Sequence, residues 1–152
     1  MLLIRDMTTD DVDRVSRIEE DNFSMPWHRE SFLQMIENDN ALYMVAELDG
    51  EIVGTCGIIT CLDEGDISNV VVDSAFRGRG IAYEMVKTAI KKARDELNIK
   101  NFTLEVRVSN KAAISLYEKL GFVSEGIRPE FYEKPVEDAI IMWKRQDLEN
   151  IC

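Results

Sequence analysis

Two glycines alternate with two arginines in Arg77-Gly78-Arg79-Gly80, between an apolar run, Ile67-Ser68-Asn69-Val70-Val71-Val72, and a helical pattern. The order strand, glycine-rich turn, helix N-terminus is chemistry for holding a phosphate. Glycine lets the main chain approach an anion, consecutive N–H groups face outward, and the helix dipole adds partial positive charge. The turn lacks both sharper phosphate signatures. A dinucleotide fingerprint wants Gly or Ala three residues after Gly80, where Tyr83 stands, and the Gly-Lys-Ser/Thr of a P-loop is absent from the chain. Arg77-x-x-Gly80-x-Ala82 remains, a weak pattern by itself.

Charge points the same way. The chain carries 18 Lys+Arg against 29 Asp+Glu, a net of −11, yet residues 77–94 hold six basic residues and one acidic, a local +5. An anionic ligand at this helix is one reading; for the lysines alone, Lys87, Lys91 and Lys92, a solvated basic face is the better one, whereas Gly78 and Gly80 with their flanking arginines favour phosphate binding.

Two later segments carry the other reactive side chains. In Thr103-Leu104-Glu105-Val106-Arg107-Val108, the leucine and valines alternate with Thr103, Glu105 and Arg107. Glutamate is disfavoured in strands, so Glu105 in mid-strand asks for a reason, although a solvated sheet face with a Glu105–Arg107 contact would supply one. Tyr117 follows Asn110 by seven positions, which puts both on one side of a helix two turns apart. Judged singly, Asn110 is explained as an N-cap and Tyr117 as a core residue. Cys56, Cys61 and Cys152 form no Cys-x-x-Cys pair, and with His28 as the single histidine no metal site is expected.

The elements that must position these groups are legible. Leu2–Met7 reads as a strand, and Thr9 is placed to cap a helix over about Asp10–Glu20. A second short helix is expected near Arg29–Glu37. Leu42–Leu48 and Glu51–Thr60 flank Asp49-Gly50, a two-residue hairpin signal. Asp66–Val72 follows as a strand. The long helix runs over about Gly80–Leu97, with Ile81, Met85, Val86, Ala89, Ile90 and Ala93 at helical spacing. Phe102–Val108, a helix over Lys111–Leu120 ended by Gly121, and strands at Phe122–Glu125 and Asp138–Lys144 complete the series. The sum is mixed α/β: one curved sheet covered on both faces by helices.

With 152 residues, 45% hydrophobic and 31% charged, a single globular domain over 1–152 is expected. No apolar run approaches the roughly 18 residues of a membrane span, and the first residues lack the leader and length of a signal peptide. Cysteine usage fits a reduced, cytoplasmic setting. The acidic balance argues against a nucleic-acid partner.

Four segments taken together carry a resemblance: Asn69-Val70-Val71-Val72-Asp73, Arg77-x-x-Gly80-x-Ala82, Leu104-Glu105-Val106-Arg107-x-Ser109-Asn110 and Leu116-Tyr117-Glu118-x-Leu120-Gly121-Phe122. They resemble the GNAT acyltransferases, more narrowly the RimI-type ribosomal-protein alanine N-acetyltransferases and archaeal N-terminal acetyltransferases. Phe23-Ser24-Met25-Pro26-Trp27 and Glu137-Asp138-Ala139-Ile140-Ile141-Met142 fit that subgroup as well. The resemblance implies a single curved, mostly antiparallel sheet of about seven strands with helices on both faces.

It also implies acetyl-CoA as cosubstrate, with no metal. The diphosphate would rest on Gly78, Arg79, Gly80, Ile81, Ala82 and Tyr83. The pantetheine arm would pair with Val70, Val71 and Val72, and Asn110 would lie near the reacting end. The acceptor would be a protein or peptide N-terminus, a ribosomal protein among the candidates. Glu105 becomes the expected general base and Tyr117 the expected general acid, with no covalent enzyme intermediate. Phe23 and Tyr132, in the loops Asn22–His28 and Arg128–Glu137, would contact the substrate; Phe131 stands where many relatives carry tyrosine. A small amine or a lysine side chain as acceptor, and a non-catalytic acyl-CoA-binding module, are the competing readings. The resemblance leaves the oligomeric state open.

Overall fold

Alternating burial along β5 (Asn101–Arg107) and a six-residue buried stripe along α3 (Ile81–Leu97) build the centre of the molecule. The computed structural model describes residues 1–146. In chain order the other elements are β1 (Leu2–Asp6), α1 (Val12–Asn22), α2 (Arg29–Glu37), β2 (Ala41–Leu48), β3 (Glu51–Cys61) and β4 (Glu64–Val72). After β5 come α4 (Lys111–Lys119), β6 (Val123–Tyr132) and β7 (Glu137–Lys144). The seven strands form one sheet ordered β1-β2-β3-β4-β5-β7-β6, antiparallel throughout except for the parallel pair β4–β5. The expected architecture is therefore the observed one.

Helices cover both faces. Ile81, Met85, Val86, Ala89, Ile90 and Ala93 of α3 share a core with Phe102, Leu104 and Val106 of β5 and Tyr117 of α4. On the other face Val12 and Val15 of α1 and Phe32 of α2 pack with Tyr43 and Val45 of β2. The Asp49-Gly50 turn has both residues left-handed, at φ 51° and 88°, as a two-residue hairpin requires.

Two features open the sheet at its middle. β4 and β5 pair only at Glu64–Asn101, Gly65–Phe102 and Asp66–Thr103. Just beyond, β4 bulges: Gly57 pairs with Ser68 but Thr55 with Val71, so β4 spends one extra residue. Asn69 absorbs it at φ 57°, a left-handed conformation that asparagine tolerates better than most side chains. From Ile67 onward the β5-facing edge of β4 has no strand partner among the described residues.

Several boundaries differ from expectation. Thr9 does not cap α1; it starts a 3-10 turn, Thr9–Asp11, and the Thr8 N–H donates to Asp11 Oδ2 at 2.8 Å. β4 begins at Glu64 across a Leu62-Asp63 turn whose left-handed residue, Leu62 at φ 55°, gives no turn signal in sequence. β6 runs to Tyr132 rather than ending at Glu125. It is an edge strand exposed on both faces, with Pro129 inside it and a bulge between Arg128 and Tyr132, so it shows no alternation to read.

Gly57 lies under the Tyr43 ring across the β2–β3 pair, where an added Cβ would overlap the ring carbons. Gly57→Ala is expected to cost about 1–3 kcal/mol through overpacking, read as a lower midpoint in thermal or denaturant unfolding. Gly126→Ala, where nothing lies within 4 Å of an added Cβ, is the control.

Candidate active site

The turn before α3 has the conformation its glycines imply. Gly78 and Gly80 are left-handed at φ 79° and 77°, and Gly80 is the N-cap of α3. A Cβ at either meets nothing within 4 Å, so backbone conformation rather than packing selects glycine there. Within α3 the first return bond runs from the Glu84 N–H to the Gly80 carbonyl, at 3.2 Å. The N–H groups of Ile81, Ala82 and Tyr83 thus precede the intrahelical ladder and face outward. Arg77 is tied down by its Nε to the Val72 carbonyl at 3.3 Å and by its guanidinium to Asn22 Oδ1. Arg79 lies over the Phe76 ring, 5.1 Å from its centroid, and is exposed.

The basic run narrows to this turn. Lys91 pairs with Asp95 at 2.6 Å, Lys92 with Asp6 at 2.7 Å, and Arg94 packs 5.5 Å over Phe102. α3's later cations therefore serve the fold, in keeping with the reading of the lysines as a basic face rather than ligand-binding groups. Lys87, 5.7 Å over the Tyr83 ring, stays next to the turn.

From that turn a cleft runs between β4 and β5. Val70, Val71 and Val72 form one wall, with their outer main-chain edge unpaired among the described residues, Val71 and Val72 buried and Val70 half-buried. Glu105 stands on the other wall with its side chain 22% exposed, its neighbour being Arg128 Nη1 at 3.9 Å. The Glu105–Arg107 contact does not form. Arg107 instead donates to the carbonyls of Glu133 and Pro135, each at 3.0 Å, approaches Glu137 Oε1 at 3.4 Å, and stacks 4.4 Å over the Tyr132 ring. It therefore holds the β6–β7 loop beside the cleft. Glu137 also accepts the Ser109 N–H at 2.6 Å, fixing the start of the turn into α4. Those bonds to Ser109, helped by Arg107, keep its carboxylate below the usual range.

Two further groups share the Glu105 environment, and a third, Tyr117, is linked to one of them. Asp66, at the last paired position of β4, has its carboxyl pushed up to about 6 by desolvation and then by the charge of Glu105. Desolvation and Glu105 together push the Tyr132 phenol up to about 12. Tyr117, only 6% exposed, is held well above the ordinary phenol range by burial, with Cys56 and Tyr132 adding to the shift. Its ring meets Phe122 edge-on at 5.8 Å, and no hydrogen bond contributes to its titration. Tyr117 is thus a core residue whose phenol stays protonated at neutral pH.

The remaining expected residues fall as follows. Asn110 caps α4, its Oδ1 accepting the Ala113 N–H at 3.2 Å, and its side chain is exposed. Phe23 ends α1 and is 38% exposed at the head of the loop leading to Trp27. Cys56 is a β3 core residue whose thiol burial pushes up to about 12, which removes it as a nucleophile at neutral pH. Cys61 ends β3, and Cys152 lies outside the described residues. His28 precedes α2 without capping it through its side chain. Among the described residues no group of three or more His, Cys, Asp or Glu side chains is arranged to hold a metal ion.

Sequence reading missed Asp66, Arg128 and a buried trio of Glu19, Tyr43 and Asn69. Glu19 had a readable signal: it continues the inward stripe of Val12, Val15 and Ile18, where a carboxylate is out of place. Arg128 had none, because the extent of β6 was itself unreadable.

An open cleft between diverging strands, with outward-facing N–H groups of a helix N-terminus at one end and a carboxylate in the facing wall, has the chemistry to take an extended anionic ligand beside a proton acceptor. Comparison with known proteins agrees. Residues 12–122 match the model of the acetyltransferase (GNAT) family. The chain belongs to that family and is an N-acetyltransferase by class. It is 37% identical over 141 residues to a Bacillus subtilis protein provisionally named [ribosomal protein bS18]-alanine N-acetyltransferase, covering 92% of this chain and 93% of that one. It is 29% identical over 151 residues to an N-alpha-acetyltransferase of Sulfurisphaera tokodaii, covering 91% and 90%. Among solved structures, the ribosomal-protein-S18-alanine N-acetyltransferase of Escherichia coli superposes with a TM-score of 0.88 at 29% identity, covering 100% of this chain and 99% of that one. Among the described residues no helix is long and apolar enough to cross a membrane.

Proposed function

We propose that this chain, as one acetyltransferase domain over 1–152, transfers the acetyl group of acetyl-CoA to the α-amino group of protein N-termini in the cytoplasm. An alanine-initiated ribosomal protein is the first candidate substrate, by likeness to the relatives named above. The observation that carries the reading is the parting of β4 from β5 after Asp66–Thr103, which leaves Val70–Val72 unpaired opposite Glu105.

The residues fit the cosubstrate. The free N–H groups from Gly78 to Tyr83, beside Arg79, suit a diphosphate, and the open space over both left-handed glycines leaves room for it. The unpaired edge of Val70, Val71 and Val72 suits an amide-bearing arm laid alongside it as an added strand. Acetyl-CoA would supply an acetyl group activated as a thioester. A main-chain N–H of that edge would hold the thioester oxygen as charge develops on it, and Asn110 would stand near the reacting end.

The rest is proton traffic. An α-amino group has a pKa near 8, so only roughly a tenth is neutral at pH 7. Glu105 takes the proton from the ammonium, directly or through a water, and Tyr117 returns a proton to the departing sulfur. Its raised pKa keeps Tyr117 protonated at working pH, as an acid must be. Phe23 and Tyr132 would contact the incoming peptide, the Tyr132 hydroxyl by a hydrogen bond to its main chain. The −11 net charge favours approach of cationic substrates.

The test is a library of peptides differing in their first two residues, incubated with acetyl-CoA and read by mass spectrometry beside a polyamine and an internal-lysine peptide. Acetylation confined to α-amino groups is expected. Preferential labelling of the polyamine or the lysine would overturn the reading.

A further inference from the structure

A buried polar cluster outside this machinery joins the substrate loop to the bulge of β4. Glu19, in the last turn of α1, is 2% exposed. Its Oε1 accepts the Trp27 N–H at 3.3 Å and the Asn69 side-chain N–H at 3.0 Å. Asn69 Oδ1 in turn accepts the hydroxyls of Tyr43 and Ser68, each at 2.8 Å. The Tyr43 ring stacks on Trp27 at 5.8 Å. One carboxyl therefore touches the 23–28 loop on one side and, on the other, the left-handed residue that sets the path of Val70–Val72.

The cluster is incompletely satisfied. Glu19 Oε2 and Ser16 Oγ are both buried without a hydrogen-bond partner among the described residues, one helical turn apart on the same face of α1. Orphaned buried polar atoms are costly and rare, so a purely structural carboxyl would be out of place here. They also define an alternative. Rotation of the Glu19 carboxyl toward Ser16 would exchange Asn69 for a hydroxyl partner, releasing the loop from the bulge. Burial raises the Glu19 carboxyl above its ordinary range and favours the neutral acid that such an exchange would use.

We propose that Glu19 is a positioning residue: through Asn69 it makes the seating of coenzyme A on β4 and the ordering of the 23–28 loop a single event. The proposal rests on the functional reading above. It assigns the coupling to one discrete two-state contact that both sites bias, which is the physical requirement for such a link.

The chain has two tryptophans, so Trp143→Phe leaves Trp27 as the reporter. In that background, coenzyme A is expected to shift Trp27 emission with the dissociation constant that calorimetry gives. Glu19→Gln should retain the shift, because its amide oxygen still accepts both N–H groups. Asn69→Gly keeps the left-handed backbone and deletes the bridging amide. It should bind coenzyme A with a silent Trp27 and raise KM for an alanine-initiated peptide about tenfold, with kcat little changed. A silent Trp27 in the parent despite measurable coenzyme A heat would overturn the coupling alone, as would a retained shift in Asn69→Gly. Absence of coenzyme A heat in the parent would overturn the functional reading and the coupling with it.

Discussion

Glu105→Gln is expected to lower kcat about 10²- to 10⁴-fold, equivalent to about 3–5 kcal/mol of transition-state stabilisation, with coenzyme A affinity close to that of the parent. Glutamine has nearly the same shape, and the neighbouring strand residues Leu104 and Val106 anchor β5 in the α3-side core, so the wall of the cleft should hold. Steady-state turnover with both substrates saturating reads the first effect and calorimetry the second. A third readout is independent of turnover. Asp66 is pushed up to about 6 by desolvation and by the Glu105 charge, so removing that charge should move its titration down toward the ordinary aspartate value. Carbon-13 NMR of the Asp66 carboxyl measures it. The sign for stability follows: a raised carboxyl favours the fold while neutral, and that contribution fades as pH rises through about 6. Glu105→Gln should therefore lessen the stability lost as pH rises from the ordinary aspartate value to about 6. Full turnover in Glu105→Gln would show that the base lies elsewhere, with Asp66 the next group to replace.

What could be read without coordinates follows from where side chains face. β5 and α3 bury one face each against the same core, so their periods, 2 and 3.6, appear undiluted in Phe102–Val106 and Ile81–Ala93. The Gly78 and Gly80 turn was legible because only glycine adopts those dihedrals at little cost. The bulge at Asn69 was not, since asparagine in a valine-rich strand reads as any polar outward residue until its partner strand is known. Its consequence, the parting of β4 from β5, is a property of pairing between segments more than thirty residues apart and has no local signature. The charge reading also needed coordinates: sequence leaves Lys91 and Lys92 as a basic face with no named partners, and the fold supplies Asp95 and the distant Asp6. Asp66 belongs to the same class, ordinary in its own strand and unusual only once the fold partly desolvates it and brings the Glu105 charge near.

Tyr117→Phe separates the two roles that sequence left entangled. As packing, the ring is held by Phe122 at 5.8 Å and by the α3-side core, and phenylalanine keeps every one of those contacts. The hydroxyl makes no hydrogen bond that a phenyl ring would leave unsatisfied among the described residues, so deleting it should not lower the unfolding midpoint. If the hydroxyl serves only the core, the variant should turn over like the parent. If it delivers the proton to the departing sulfur, kcat should fall about 10²-fold or more while coenzyme A binding is unchanged. The alkaline side of the pH profile adds a discriminating sign. Burial raises this phenol above the ordinary tyrosine value, so it stays protonated through the range in which an α-amino group becomes neutral. The parent should accordingly show no loss of kcat up to about pH 9, whereas an acid with an ordinary pKa near 10 would begin to fail there. Retention of full turnover by a stably folded Tyr117→Phe would return Tyr117 to the core alone and leave the sulfur to take its proton from water.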